Sequence, residues 1–331
     1  MVLAFIEQVA GAPTTLSLEV LTMAGRIAQE AGSPLEAVAI GQKAGSAVGI
    51  LSSYGVRTLY VADDPRLEEY APAAWAHAIQ DLADRVNPDV VIGTASDRGG
   101  EVMGHVAARM KLPMAANCTE IVPGDSFTVT RQRWGGSLLE EAHLKGAIKL
   151  LTVAPHALTV EASPSRTEVT IRAFAPVLDE KDFRVRLKPK VEADTGKISL
   201  AQARVVVGGG RGVGSAEGFA LLEELAALLG GAVGCSRAVT SLGWRPHSDQ
   251  VGQTGTRIAP DLYIACGISG AIQHMVGCRA AKHILAINTD PAAPIVAQAD
   301  YAVIGDVQKV LSAVTARVRR VKAGGPSRNP A

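Results

Sequence analysis

The amino-acid sequence predicts an α/β protein of two domains, each built on a parallel β-sheet. Short apolar runs alternate with segments of helical spacing along the chain, which is the order expected of βαβ units. Hydrophobic residues make up 47% of the sequence and aromatic residues only 4%, a composition typical of parallel strands covered by small-residue helices. With 331 residues, the chain is long enough for two domains of ordinary size.

In the first half of the chain, strand-like and helix-like segments alternate, which predicts a parallel sheet. Helical spacing from Leu16 to Ile27, ended by Gly32, predicts the first helix. Strands are predicted at 2–6, 37–40, 58–61, 89–93, 127–131, 150–153 and 169–171, with further helices at 72–86 and 99–110.

The stretch from Thr94 to Gly100 joins a predicted strand to a predicted helix, so two interpretations are open. It is either an ordinary turn in which Ser96 or Asp97 caps the helix, or the phosphate loop of an adenine-nucleotide enzyme. The strict P-loop pattern is absent, which favours the ordinary turn.

A polar connection at 179–196 separates the halves, and its mixed charges predict a solvated face. We therefore expect an N-terminal domain at 1–190, a C-terminal domain at 191–322 and a disordered tail at 323–331. In the second domain, strands are predicted at 203–207, 232–235, 262–266, 283–287 and 301–304, and helices are predicted from Ser215 to Leu229, at 271–278 and from Asp306.

The turn Gly267-Ile268-Ser269-Gly270 lies between a buried strand and a helix. Backbone N–H groups at such a helix start favour an anion, and the small Ser269 and Gly270 allow a ligand to approach closely. The carboxyl ends of parallel strands are the usual place for a nucleotide-type cofactor. The standard dinucleotide fingerprint is nevertheless absent after the strand at 203–207.

Four segments occur in an order that resembles the C-terminal signature of the alpha subunits of electron transfer flavoproteins. They are VGQTG from Val251, LYIACGISGAIQH from Leu262, AINTDPAAPI from Ala286 and ADYAVIGD from Ala299. The resemblance implies FAD as the cofactor. It also implies a nucleotide-hydrolase-like first domain that contacts a partner subunit and a doubly wound second domain that binds FAD.

The resemblance further implies which residues bind the flavin. Arg237, Thr254 and His274 are expected to tune its redox potential, with Arg237 as the cation near the ring. Asp306 also has an ordinary interpretation as a helix cap, and His274 one as a satisfied helical side chain. The full expected set is Arg211, Ser236, Arg237, Val251, Gly252, Gln253, Thr254, Ser269, Gly270, Ala271, Ile272, Gln273, His274, Asn288 and Asp306.

The function implied by the resemblance is that of a redox carrier without substrate turnover of its own. The expected partner is a beta subunit that holds AMP or a second flavin. The expected electron donors are dehydrogenases, foremost acyl-CoA dehydrogenases, and the expected acceptor is a quinone-linked oxidoreductase. A bifurcating or nitrogen-fixation-linked electron transfer flavoprotein is the alternative within the same class.

Charge and cysteine content argue against several other classes of protein. A net charge of +1 gives no reason to expect nucleic acid or an anionic membrane as a partner. The four scattered cysteines predict buried thiols and no metal site. We also expect a cytoplasmic protein without a transit peptide or membrane-spanning segment.

Overall fold

The computed structural model describes residues 1–187 and 198–323. The chain divides into two compact units, Met1–Val191 and Glu192–Ala331. The predicted domain boundary at residue 190 and residues 324–331 of the predicted tail lie outside the described residues.

The first unit is an α/β structure in which most elements have the predicted type and order. Its strands are Val2–Ile6 (β1), Gln8–Val9 (β2), Ala12–Pro13 (β3), Leu35–Ile40 (β4), Val56–Ala62 (β5), Val90–Thr94 (β6), Met114–Val122 (β7), Phe127–Arg133 (β8), Leu138–Leu144 (β9), Lys149–Val153 (β10) and Thr170–Phe174 (β11). Its helices are Thr15–Glu30 (α1), Val48–Ser52 (α2), Pro72–Val86 (α3) and Asp97–Met110 (α4).

The main sheet of this unit has the order β11-β5-β4-β1-β6-β10-β7-β8-β9. The pairs from β11 to β7 are parallel, which confirms the predicted parallel α/β sheet. Strands β8 and β9 extend it as an antiparallel meander, of which the sequence predicted the strand at 127–131 but neither β9 nor the antiparallel pairing. Short connections such as 123–126 can join antiparallel neighbours but not parallel ones.

Both faces of the first sheet are buried at its central parallel strands, such as β1, β4 and β6. Successive residues of β1 point to opposite faces, so Phe5 packs with Ile79 and Met103, whereas Ile6 packs with Val20. Helix α1 therefore covers one face, while α3 and α4 cover the other. This arrangement explains why all of β1 is apolar and buried.

The second unit is a smaller doubly wound structure, as predicted. Its strands pair in parallel in the order β13-β12-β14-β15-β16. They are Val205–Gly209 (β12), Ala232–Cys235 (β13), Leu262–Cys266 (β14), His283–Asn288 (β15) and Tyr301–Ile304 (β16). The helices are Phe219–Leu229 (α5), Arg237–Ser241 (α6), Ile272–Cys278 (α7), Pro294–Gln298 (α8) and Val307–Lys322 (α9).

Strand order places a topological switch between β12 and β14. From β12 the chain moves to β13 on one side and later returns to β14 on the other. The helices α5 and α9 pack on one face around Phe219 and Leu311, whereas Met275 of α7 and Ile295 of α8 belong to the core on the other face. Ligands of open α/β sheets bind outside the strand ends at such a switch.

Two predicted helix caps have different outcomes. The Asp306 carboxylate accepts the Lys309 backbone N–H at 3.0 Å and caps α9, as predicted. Ser215 was predicted to cap a helix that runs to Leu229, and this was wrong. Helix α5 begins at Phe219 after Gly218, because the chain first makes a turn in which Ser215 accepts the Gly218 N–H at 3.4 Å.

The prediction of a solvated face for the connection was wrong at Asp182. This side chain is only 2% exposed. One carboxylate oxygen lies 2.6 Å from Nδ1 of His77, and the other accepts from Arg109 at 3.0 Å. A carboxylate can be buried here because a cation and an imidazole replace the water it loses.

Within the described parts of the chain, no helix is long and apolar enough to cross a membrane. Cys118, Cys235, Cys266 and Cys278 are free, buried thiols, as predicted, and burial raises the pKa of each to about 12. The described residues, 1–187 and 198–323, contain no group of three or more potential metal ligands close enough to hold an ion.

Candidate functional site

A cavity of about 790 Å³ lies at the carboxyl ends of the strands of the second unit. Residues that directly follow β12, β13 and β14, and the last residue of β15, contribute to its wall. Its volume is within the range of roughly 300–1,000 Å³ that is common for cofactor and ligand sites. The cavity therefore occupies the place and has the size expected of a nucleotide-type cofactor site.

Most of the predicted site residues meet in this cavity. Those that line it are Arg211, Ser236, Arg237, Val251, Gly252, Gln253, Thr254, Ser269, Ala271, Gln273, His274 and Asn288. Gly270, Ile272 and Asp306 are not among the lining residues. The expected set did not include the other lining residues, of which Gly267 and Ile268 belong to the turn that the sequence indicated: Gly210, Gly212, Ala238, Ser241, Gln250, Gly267, Ile268, Asp290 and Ala293.

Glycines bring two turns into backbone contact at the topological switch. The Gly212 N–H donates to the Gly267 carbonyl at 3.0 Å. A Cβ atom on Gly210 would collide with that carbonyl, and Gly267 itself has a φ of +62°. The turns after β12 and β14 thus form one continuous floor, which explains Gly210 and Gly212 better than a dinucleotide fingerprint does.

Gly270 allows close packing between the turn after β14 and α8. Its φ is +82°, and a Cβ atom there would collide with the backbone of Ile295 in α8. The Ile295 N–H donates to the Ser269 carbonyl at 3.1 Å, and Asn288 Nδ2 donates to the Ile268 carbonyl at 2.9 Å. Asn288 therefore holds the turn in place from the end of β15.

The cavity wall carries an excess of positive charge. Arg211 and Arg237 follow β12 and β13, and both are exposed. In the part of the chain that the structure describes, neither guanidinium is paired with a carboxylate. The one carboxylate in the wall, that of Asp290, accepts the Ala292 N–H at 2.9 Å. Two free cations at the strand ends favour an anionic ligand.

The loop from Val251 to Thr254 is fixed from two sides. The Val251 N–H donates to the carbonyl of Cys235 at the end of β13 at 2.9 Å. The Gln253 N–H donates to the Gln273 carbonyl in α7 at 2.7 Å. The loop is thereby positioned between two elements that both contribute to the cavity wall.

Gln250 is a site residue that sequence reasoning missed. It is 1% exposed, accepts from the Thr240 hydroxyl at 2.9 Å and donates to the Thr254 hydroxyl at 2.9 Å. The Thr254 oxygen then acts as the acceptor, so its own proton is available to a ligand. In the sequence, Gln250 is marked only by its position immediately before the VGQT segment. A single polar residue forms no periodic pattern from which its burial could be predicted.

His274 is a buried, neutral member of the wall. It is 7% exposed, and its Nε2 lies 2.8 Å from the Tyr263 hydroxyl. Burial lowers the pKa of His274 to about 4, although the nearby backbone of Val251 acts weakly in the opposite direction. Nδ1 is buried and has no partner with hydrogen-bonding geometry among the described residues. A ligand acceptor would satisfy this orphaned polar atom.

The loop at 94–100 in the first unit has the geometry of an ordinary turn. The Ser96 hydroxyl accepts the Gly99 N–H at 2.9 Å and caps α4. The Glu7 carboxylate accepts hydrogen bonds from the Thr94 and Ser96 hydroxyls, the latter at 2.6 Å. A phosphate placed here would meet the negative charge of Glu7, so the geometry disfavours a phosphate loop.

Two family models match the chain, and together they cover most of it. The model described as "Electron transfer flavoprotein domain" matches residues 2–177. The model described as "Electron transfer flavoprotein FAD-binding domain" matches residues 199–279, which include β12 to α7 and much of the cavity wall.

Curated relatives match over almost the whole length. The chain is 35% identical over 323 residues to an electron transfer flavoprotein subunit alpha of Thermoanaerobacterium thermosaccharolyticum, covering 96% of this chain and 97% of the relative. It is 35% identical to a Protein FixB of Clostridium saccharobutylicum, covering 96% of each chain. It is 38% identical to a Protein FixB of Rhizobium meliloti, covering 94% of this chain and 90% of the relative.

Proposed function

This chain belongs to the electron transfer flavoprotein family as an alpha subunit, and on that premise we propose that it carries electrons from dehydrogenases to a quinone-linked oxidoreductase. It binds FAD, the cofactor of the family domain that matches the second unit. We propose acyl-CoA dehydrogenases as the donors, which places the protein in fatty acid β-oxidation. A cytoplasmic location is part of the same proposal.

The residues of the cavity fit FAD. The cofactor has a pyrophosphate that needs cations or N–H groups, and the wall supplies Arg211 and the turn at Ser269. The isoalloxazine ring has carbonyl groups that accept hydrogen bonds, and His274 has a buried nitrogen without a hydrogen-bond partner among the residues described. This orphaned nitrogen in a cavity of suitable size is the observation that carries the proposal.

The side chains of the wall would act on the cofactor by charge and hydrogen bonding. Bound FAD supplies reversible electron uptake, and reduction adds negative charge to its ring. Arg237 would stabilise that charge as a nearby cation. Thr254 and His274 would donate hydrogen bonds to the ring edge, and the buried Gln250 would hold the Thr254 hydroxyl in place.

A beta subunit would complete the site. Arg211 and Arg237 are exposed although they line the cavity, which supports cover by a second protein chain over a bound flavin. We propose that the first unit contributes to the contact with this subunit and that the beta subunit holds AMP or a second flavin. Glu7 argues against a nucleotide site in the first unit at the equivalent strand ends.

The experiment is to co-purify the full chain with its beta subunit and to measure the flavin spectrum and stoichiometry. We expect one FAD in the cavity of each alpha chain. Reduction of this flavin by an acyl-CoA dehydrogenase with its substrate, but not by the substrate alone, would support the proposed donor. A colourless heterodimer that takes up no FAD would contradict the proposal.

A bifurcating or nitrogen-fixation-linked role is the second candidate, and two of the relatives described above bear the name Protein FixB. The same preparation distinguishes the two candidates. Two flavins per heterodimer, with reduction by NADH and not by the acyl-CoA dehydrogenase, would favour the second candidate over the first.

A further inference from the structure

Tyr263 is a buried polar residue beneath the cavity wall. It lies in β14, is 0% exposed and does not line the cavity itself. Its hydroxyl lies 2.8 Å from Nε2 of His274, and the two rings are tilted by 32° with centroids 6.0 Å apart. The Tyr263 hydroxyl therefore contacts the cavity wall through this histidine.

The sheet has space for this hydroxyl because Gly208 stands on the neighbouring strand β12. A Cβ atom on Gly208 would collide with the Tyr263 hydroxyl. A buried tyrosine hydroxyl is costly unless it makes a hydrogen bond. In the described residues, the His274 contact is the hydrogen bond that this hydroxyl makes.

The direction of the hydrogen bond follows from a count of unsatisfied groups. If Nε2–H donated to Tyr263, both the tyrosine proton and the lone pair on Nδ1 of His274 would be buried without partners. If Tyr263 donates to Nε2, only the N–H on Nδ1 remains without one. Because each buried unsatisfied polar group destabilises the fold, the second arrangement is favoured.

We propose that Tyr263 is a positioning residue that donates its hydroxyl proton to Nε2 of His274 and so fixes the single imidazole proton on Nδ1. His274 then offers the cofactor a donor and never an acceptor. This inference rests on the proposed function, in which His274 contacts the flavin. Burial raises the pKa of Tyr263 well above 10, so the hydroxyl retains the proton that it shares.

The tautomer can be read directly by nitrogen NMR. The full chain, labelled with ¹⁵N-histidine, is studied in its heterodimer after removal of FAD, and the His274→Gln variant identifies the His274 signals among the seven histidines. We expect a protonated Nδ1 and an unprotonated Nε2 near neutral pH. A protonated Nε2 in the wild-type protein would overturn the proposal. This measurement needs no bound flavin, so it stands apart from the proposed function.

The Tyr263→Phe variant tests the consequence for the cofactor. Without the hydroxyl, we expect His274 to populate both tautomers and the Kd for FAD to rise about tenfold, the effect of losing roughly one oriented hydrogen bond. Tyr301→Phe is the matched control, because Tyr301 is 63% exposed on β16, and it should leave both readouts unchanged. A single unchanged tautomer and an unchanged Kd in Tyr263→Phe would overturn the proposal.

Discussion

Arg237 contributes positive charge to the cavity wall, whereas Gln250 orients a hydroxyl group of that wall. Neither residue belongs to a periodic pattern in the sequence. Arg237 begins α6 and lines the cavity, and within the described ranges its guanidinium has no carboxylate partner. Gln250 is buried and touches two hydroxyls, so it orients a donor without carrying charge. A short resemblance to known motifs indicates Arg237, but a buried amide is found only when the structure brings its partners together.

Replacement of Arg237 by alanine should lower the reduction potential of bound FAD. The lost cation no longer stabilises the negative charge that reduction adds, and because the side chain is exposed we expect a modest shift of about 60 mV. Spectroelectrochemical titration of the heterodimer measures it.

Arg204→Ala is the control for this measurement. Arg204 immediately precedes β12, at the amino end of the sheet, where its 87% exposed side chain pairs with Asp261 at 2.7 Å. Loss of this ion pair should change neither the potential nor, measurably, the stability. An unchanged potential in Arg237→Ala would mean that this guanidinium lies away from the flavin ring.

Elements with a continuous apolar run or clean helical spacing could be predicted from the sequence, because those patterns are visible without knowledge of the neighbouring elements. Strand β9 could not be predicted, because it carries adjacent glutamates and is mostly exposed, so its apolar residues show no core-facing period. Predicted and observed bounds agree for β1, α3, β13, β14 and β16.

The turn between β14 and α7 gives a prediction that separates cavity residues from their neighbours. Ser269→Trp should weaken FAD binding at least roughly tenfold, because Ser269 lines the cavity and an indole there would occupy the ligand volume. Ile272→Trp, three residues later, should bind FAD normally, since Ile272 is 67% exposed and does not line the cavity. Flavin content of each purified heterodimer provides the measurement.

Equal flavin content in the two tryptophan variants would show that the turn at Ser269 is not part of the FAD site. Circular dichroism of both variants checks that the fold is intact. Because Ile272 was among the residues expected from the family resemblance, its variant also tests whether the resemblance or the geometry of the cavity defines the site.

At the scale of the whole molecule, the two units differ in the groups that occupy the carboxyl ends of their parallel strands. Each has its own core on both faces of a sheet whose central strands are parallel. In the first unit, the internal carboxylate of Glu7 binds the hydroxyls of Thr94 and Ser96 at the strand ends. In the second, the strand ends surround a cavity whose two arginines have no carboxylate partner among the residues that the structure describes.

Because the cores are separate, a defect in the first unit should lower its stability without removing FAD from the second. Asp182 allows this test, since it joins the segment at 180–183 to α3 and α4 through His77 and Arg109. Burial alone would raise the pKa of Asp182, but hydrogen bonds from His77 and the Asp179 backbone, with the charges of His77 and Arg109, lower it below its ordinary value. A carboxylate with a lowered folded-state pKa stabilises the fold above about pH 4, and this contribution is lost as the pH falls through the folded pKa.

Asp182→Asn should therefore lower the unfolding free energy of the first unit by about 3 kcal/mol near neutral pH and flatten its loss of stability in acid. Hydrogen exchange read by mass spectrometry measures this for peptides of α3 and α4. Asp81→Asn, on α3, removes only an i,i+4 pair with Arg85 and should cost about 0.5 kcal/mol. If Asp182→Asn instead released FAD while α3 and α4 kept their protection, the units would not be energetically separate in the way their cores imply.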